Sequence, residues 1–343
     1  MRNSTFIVKL RKIRQARLRQ WRLVFGGLVA LTLILAAAML ILGRTIYPVS
    51  VVVRVLLGDD IPGASFAIAT LRLPRMLSGA FAGIAFGMSG SIFQTMLRNP
   101  LASPDVIGVA SGSSVAAVIC ILVFRLSGMA VSGISMAAGL LCATLIYTLS
   151  GGGTFAGGRL ILIGIGVSAM QNAVISYLMF RASQYDIPGA LRWLSGSLNG
   201  IRLERVPPLI AVVAVLGTAA VLLTRRLNLL ELGDETASAL GVSVKRTKLW
   251  LTLCAVFLVA VATSTTGPIA FVAFLSGPIA TQIAGRGRAS VLPAAFTGAS
   301  LVLAADLLGQ FAFDTQFPVG VITGILGAPY LLFLLIRMNR IGD

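Results

Sequence analysis

The chain has 343 residues, of which 57% are hydrophobic and 11% are charged. A soluble domain carries about 25% charged residues, so this composition argues against a water-soluble globular enzyme. At about 20 residues per crossing, the apolar residues suffice for roughly ten membrane helices.

The formal net charge of +17 would suggest nucleic acid in a soluble protein. Its distribution argues otherwise. Eight of the 28 Lys and Arg residues lie from Arg2 to Arg22, directly ahead of an apolar run. That placement is a topology signal and a contact for anionic membrane lipid, and no nucleic-acid partner is expected. Histidine is absent, which excludes imidazole metal sites and Ser-His-Asp or Cys-His catalysis. Cys120, Cys142 and Cys254 each sit in an apolar run and read as small buried hydrophobes. No catalytic residue, metal site or cofactor is expected.

In chain order, residues 1–22 form a basic cytoplasmic segment, and residues 23–343 form the membrane domain. The run at 23–42 is too long for a signal-peptide core and reads as a retained first span. Nine more spans are expected at 76–97, 106–124, 130–149, 160–180, 206–224, 249–266, 269–284, 291–309 and 318–336. The eighth is short for a full crossing, and is expected to be tilted or partly broken. Pro74, Pro207, Pro268 and Pro318 mark helix starts, where a missing N–H costs nothing. Ser103-Pro104-Asp105 reads as the capped start of the third span. With both termini inside, 19 of the 28 basic residues are cytoplasmic and 9 are on the other side, as the positive-inside rule requires.

The four lysines are Lys9, Lys12, Lys245 and Lys248, and none follows glycine. The phosphate-binding G-x-x-x-x-G-K-[ST] loop is therefore absent, and any ATP hydrolysis must come from another polypeptide. Ion coupling wants an acid at membrane depth. Asp306 alone lies well inside an apolar run, near its outer end, and reads as a helix-end acid bonded nearby or as a proton relay.

The polar segment 225–248 is the expected cytoplasmic loop with a contact role. Within it, Leu232, Gly233, Asp234, Glu235, Ala237, Leu240 and Gly241 describe a short helix. Gly233 ends a turn, Asp234 caps the helix, Glu235 suits its first turn and Gly241 closes it. Such an amphipathic element suits a partner's groove or the lipid surface. In the second span, Gly79, Gly83 and Gly87 form a small-residue stripe expected to pack tightly against another helix. In the fifth, Gly164, Ser168, Asn172 and Ser176 recur every four residues, as a water-lined path or a hydrogen-bonded helix interface would have them. Arg72 and Arg75 stand at the outer mouth of the second span, suited to lipid headgroups or to an acidic partner.

Longer motifs then carry a resemblance. Arg72-Leu73-Pro74-Arg75, Gly87-Met88-Ser89-Gly90-Ser91-Ile92-Phe93-Gln94 and Arg98-Asn99-Pro100-Leu101-Ala102-Ser103-Pro104-Asp105-Val106-Ile107-Gly108 resemble the FecCD-type permeases. So do Leu232-Gly233-Asp234-Glu235-Thr236-Ala237 with Leu240-Gly241, Leu303-Ala304-Ala305-Asp306 and Pro318-Val319-Gly320-Val321-Ile322-Thr323. That family serves ABC importers of iron–siderophore complexes, haem and vitamin B12, and the Ser-Pro-Asp-Val sequence is most similar to ferric-catecholate (enterobactin-type) members.

The resemblance implies an all-α permease of the type II ABC importer fold with ten helices, in a bacterial cytoplasmic membrane. It implies a second permease subunit, identical or not, two cytosolic ATPases and an extracytoplasmic substrate-binding protein. It further implies that Leu232–Gly241 couples to the ATPase, that Arg72 and Arg75 dock acidic groups of the binding protein, and that the fifth and tenth spans border the path. Two departures stand out. Many members have Pro-His-x-x-Arg in the eighth span, where this chain reads Pro278-Ile279-Ala280-Thr281-Gln282. Some have an outer arginine after the Leu-Ala-Asp motif, near the position of Gln310. An ion-coupled secondary transporter and a non-transporting membrane scaffold are the rival readings.

Overall fold

A computed structural model describes residues 2–151, 157–285 and 291–339. Among the described residues the secondary structure is helical throughout. The α-helices in chain order are α1 (Arg2–Ile41), α2 (Val49–Leu56), α3 (Leu73–Met96), α4 (Val109–Leu122), α5 (Met129–Leu149), α6 (Gly157–Arg181) and α7 (Ile187–Leu194). They continue with α8 (Val206–Glu231), α9 (Asp234–Ala239), α10 (Val244–Thr266), α11 (Val272–Ala284), α12 (Val291–Phe311) and α13 (Val319–Asn339).

Among the described residues, seven helical segments are long and apolar enough to cross a membrane, and three apolar helices, in α4, α11 and α13, are shorter. Together they correspond one for one to the ten expected spans. The membrane-length windows of α3, α10 and α12 are 72%, 78% and 67% buried, against 22% for α1, 11% for α6 and 28% for α8. The first three thus form the centre of the bundle. The others stand around it with large apolar residues facing out, as lipid or a further subunit requires.

The centre is held at backbone distance. A Cβ on Gly83 would lie 2.6 Å from Ala299 Cα, one on Gly87 would strike the Ala294 carbonyl oxygen, and one on Gly298 would strike the Gly83 carbonyl oxygen. The glycine stripe of α3 is therefore the packing face against α12. Without a hydrophobic drive between helices in lipid, such small-residue contact is what holds them together.

Several boundaries differ from the sequence-based expectation. Helix α1 runs unbroken through the expected 22/23 boundary. At 1.5 Å per residue its 40 residues reach about 60 Å, twice the hydrocarbon thickness. Apolar patterning marks the immersed part and is blind to a helix that continues into water. The same applies to α8, which carries the sixth span on to Glu231, so the loop expected at 225–248 narrows to 232–243. Pro74 does not start its helix from a loop: a π-helix, Phe66–Arg72, runs directly into α3. Pro268 precedes α11 by four residues, whereas Pro207 and Pro318 do sit at helix starts. Ser103 accepts from the Asp105 amide and Pro104–Ile107 forms a 3₁₀ turn, but Gly108 at φ 74° separates that turn from α4.

The eighth span is short, as expected, and its helix begins only at Val272. Phe271 has a left-handed φ of 63°, and α11 has 13 residues with Pro278 inside. Proline has no N–H for the carbonyl four residues back, which is that of Phe274. The buried amide of Gln94 on α3 supplies the missing donor, Nε2 lying 2.8 Å from Phe274 O. Gly277 makes room for it, because a Cβ there would strike Gln94 Oε1.

Candidate functional site

The expected site residues fall into three groups. At the end of the bundle where α3 begins, Arg72 Nη1 donates to the carbonyls of Leu40 and Ile41 at 2.9 Å, and Nη2 donates to Thr45 O at 2.7 Å. The carbonyls of Leu40 and Ile41 are among those that the end of α1 leaves without intrahelical donors. The guanidinium also lies 5.1 Å from the centre of the Tyr47 ring, within cation–π range.

Arg75 makes a bidentate pair with Asp306 of α12: Nε to Oδ2 at 2.8 Å and Nη2 to Oδ1 at 2.9 Å. Asp306 is 1% exposed and also accepts from Gln310 Nε2 at 2.7 Å. Its partners are thus a cation 231 residues away and a neighbouring amide, and the carboxylate is committed to an ion pair. Gln310 stands where some family members are expected to carry a further arginine. Here it completes the carboxylate's shell. Both arginines are oriented from within the chain, and the Arg75–Asp306 bond leaves Arg75 Nη1 outside the pair.

The second group lies on α6, which leans on α4 and α5. Gly164 is buried, and Ser168 Oγ lies 3.1 Å from Ser111 Oγ of α4. Asn172 and Ser176 are exposed, and Ser176 Oγ donates to Asn172 O at 2.9 Å. The stripe does not keep to one face. Four residues overshoot one 3.6-residue turn by about 40°, so three such steps turn it by about 120°. Gly164 and Ser168 therefore meet the neighbouring helix while Asn172 and Ser176 look away from it.

The third group is α9, at the opposite end of the bundle from Arg75. Asp234 is its first residue. The residue at its N-terminal cap is Gly233, at φ 111°, without a side-chain cap. Asp234 is thus not the cap expected from its residue type. Its Oδ2 instead accepts from Lys248 Nζ on α10 at 2.6 Å. The C-terminal end closes as expected: Gly241 has φ 83°, its N–H bonds to Ser238 O at 2.9 Å, and Val242 N–H bonds to Ala237 O at 3.0 Å. That bond pair is a Schellman closure. Ala237 is buried against the bundle. Glu235 is exposed, and Leu232 and Leu240 on either side of the helix are 61% and 58% exposed. Two bare leucines beside a polar turn form an apolar contact surface on a compact projection.

Sequence reading missed Lys248, Gln94 and the pairing of Arg75 with Asp306. The visible signal for Gln94 was a lone amide in a small-residue helix. For the ion pair it was a single arginine and a single buried acid.

Comparison with known proteins defines the class. A solved metal-chelate type ABC transporter, in an inward-facing conformation, matches with a TM-score of 0.81 and 27% identity, covering 92% of this chain and 99% of that one. The chain is 41% identical over 302 residues to the ferric enterobactin transport system permease protein FepG of Escherichia coli (strain K12), covering 87% of this chain and 91% of that one. It is 36% identical over 323 residues to FepD of the same system and organism, covering 92% and 96%. The architecture is that of a multi-pass permease subunit of an ABC importer. A model of the FecCD transport family matches residues 30–337, and the chain belongs to that family.

Proposed function

We propose that this chain is one of two permease subunits of a bacterial importer that carries an iron–siderophore complex, of the ferric-catecholate kind, into the cytoplasm. ATP is hydrolysed by separate cytosolic ATPase subunits, and an extracytoplasmic binding protein delivers the complex. The observation that carries this reading is α9, a glycine-closed helix with exposed Leu232 and Leu240, on the end of the bundle whose loops hold most of the basic residues. That charge bias favours a cytoplasmic placement for α9 and for both termini, the side on which ATP is found. The 41% identity to a ferric enterobactin permease supports the substrate class.

In this reading the segment Leu232–Gly241 seats in a groove of the ATPase. Asn172 and Ser176 line the path, and the binding protein docks around Arg72 and Arg75 with acidic side chains reaching the free Arg75 Nη1. The experiment is reconstitution of the permease with its cognate ATPase and binding protein in vesicles, measuring ATP hydrolysis and import of radio-iron-labelled ferric enterobactin together. Gly241→Val places a β-branched residue at a left-handed helix end. It is expected to release the ATPase or to leave hydrolysis without import. Normal import per ATP in that variant refutes the role of α9, and ion-driven import without ATP refutes the importer class.

A further inference from the structure

We propose that Lys248 is a positioning residue which ties α9 to the buried centre of the bundle, so that displacement of α9 reaches α10. The inference rests on the coupling reading above and concerns how the displacement is carried onward.

Helix α9 has six residues, far fewer than the dozen or so a helix needs to hold itself together in water. Its packing adds little, since Ala237 is buried while Glu235, Thr236, Ser238 and Ala239 are exposed. It is flanked by two glycines in left-handed or wider conformations, Gly233 at φ 111° and Gly241 at φ 83°, and nothing lies within 4 Å of where a Gly241 Cβ would be. The main chain from α9 to α10 therefore turns at Gly241, which two backbone bonds close and no side chain reinforces; we take this turn as the pivot. A push on α9 would be absorbed there unless something bridged it.

The Asp234–Lys248 pair spans that pivot. It joins the first residue of α9 to the second turn of α10, with Nζ and Oδ2 2.6 Å apart. The two ends differ in setting. The Asp234 side chain is 44% exposed and that of Lys248 is 7% exposed. An ion pair between two exposed groups yields under load at little cost, whereas the Lys248 ammonium is enclosed in the bundle, so its end of the pair is held in place. Helix α10 packs along α3 and α8, so a strut to Lys248 delivers motion to the centre.

The test uses the full importer in vesicles and reads import of labelled ferric enterobactin per ATP hydrolysed, together with retention of the ATPase on the permease. Lys248→Met keeps the stem and removes the charge; Asp234→Asn removes it from the other side. Both are expected to retain the ATPase and to lower import per ATP about tenfold, with the double variant no worse than either single one. Asp234→Glu, which keeps the charge, is expected to retain most of the coupling. Should Lys248→Met fail to fold, Asp234→Asn carries the same test from the exposed side. Unchanged import per ATP, losses that multiply in the double variant, or release of the ATPase by both single variants overturns the proposal. The coupling reading fails on a different result: a cysteine at Leu240 that does not cross-link to the ATPase.

Discussion

Replacing Gln94 by leucine tests whether a side chain stands in for a backbone donor at the Pro278 break. The substitution keeps the approximate shape and removes the amide that reaches Phe274 O. A buried acceptor left without a partner costs about 1–3 kcal/mol, and Gln94 is only 8% exposed, so water does not readily replace it. The rescue discriminates. Pro278→Ala restores an N–H at the position that serves Phe274 O in a regular helix. The cost of Gln94→Leu is therefore expected to fall by at least about 1 kcal/mol when measured on the Pro278→Ala background, a coupling typical of groups sharing one partner. The assay is a double-mutant cycle on reversible unfolding of the purified permease in mixed micelles. Costs that add within about 0.5 kcal/mol would show that the two residues do not share the Phe274 carbonyl and would refute the argument.

Further outcomes are expected elsewhere. Arg75→Met leaves the Asp306 carboxylate enclosed without its cation and is expected to destabilise the bundle by about 3–5 kcal/mol, whereas Arg75→Met combined with Asp306→Asn recovers most of that loss, as unfolding in micelles will report. On that recovered background the docking role is open to direct measurement: binding-protein affinity is expected to fall, and unchanged affinity would remove Arg75 from the docking surface. Gly83→Leu forces α3 away from the Ala299 backbone and is expected to abolish folded expression, while Gly26→Leu, with nothing within 4 Å of its Cβ position, is tolerated. Cysteines at Asn172 and Ser176 are expected to react with a small water-soluble thiol reagent in at least one state of the ATP cycle, and a cysteine at Gly164 is not. Equal labelling of all three would count against a path on α6.

Most of the bundle was legible in the sequence, because lipid imposes a strong one-dimensional signal: a crossing needs a long apolar run. The ten helices and the short eighth span follow from that signal, and the glycine stripe of α3 follows from residue size. What was not legible is what lies outside the hydrocarbon or depends on distance along the chain. The α2 helix is a short apolar segment outside the expected spans, the Phe66–Arg72 π-turn extends the second span ahead of its expected start, and the continuations of α1 and α8 are polar. The partners of Arg75, Gln94 and Asp234 are 231, 180 and 14 residues away, and for the first two a single sequence offers residue types but not proximity. At Asp234, residue type alone suggested a cap, a local bond, while the fold offered a stronger partner in an enclosed ammonium. The turning of the α6 stripe was calculable from helix geometry, since a four-residue repeat drifts around the axis.

The backbone-to-backbone seam between α3 and α12 has a mechanical consequence. Where side chains intervene, two helices can slide by exchanging rotamers. Along Gly83, Gly87 and Gly298 there are no side chains to exchange, and the two backbones lie so close that a Cβ at any of the three would strike main-chain atoms of the other helix. The pair therefore behaves as a keel, stiff in shear, with the Arg75–Asp306 bond clamping one end. Shape change during a transport cycle must then be sought in helices outside this seam, α10 and the thinly supported α6 among them, while the keel supplies the fixed frame against which that movement is measured.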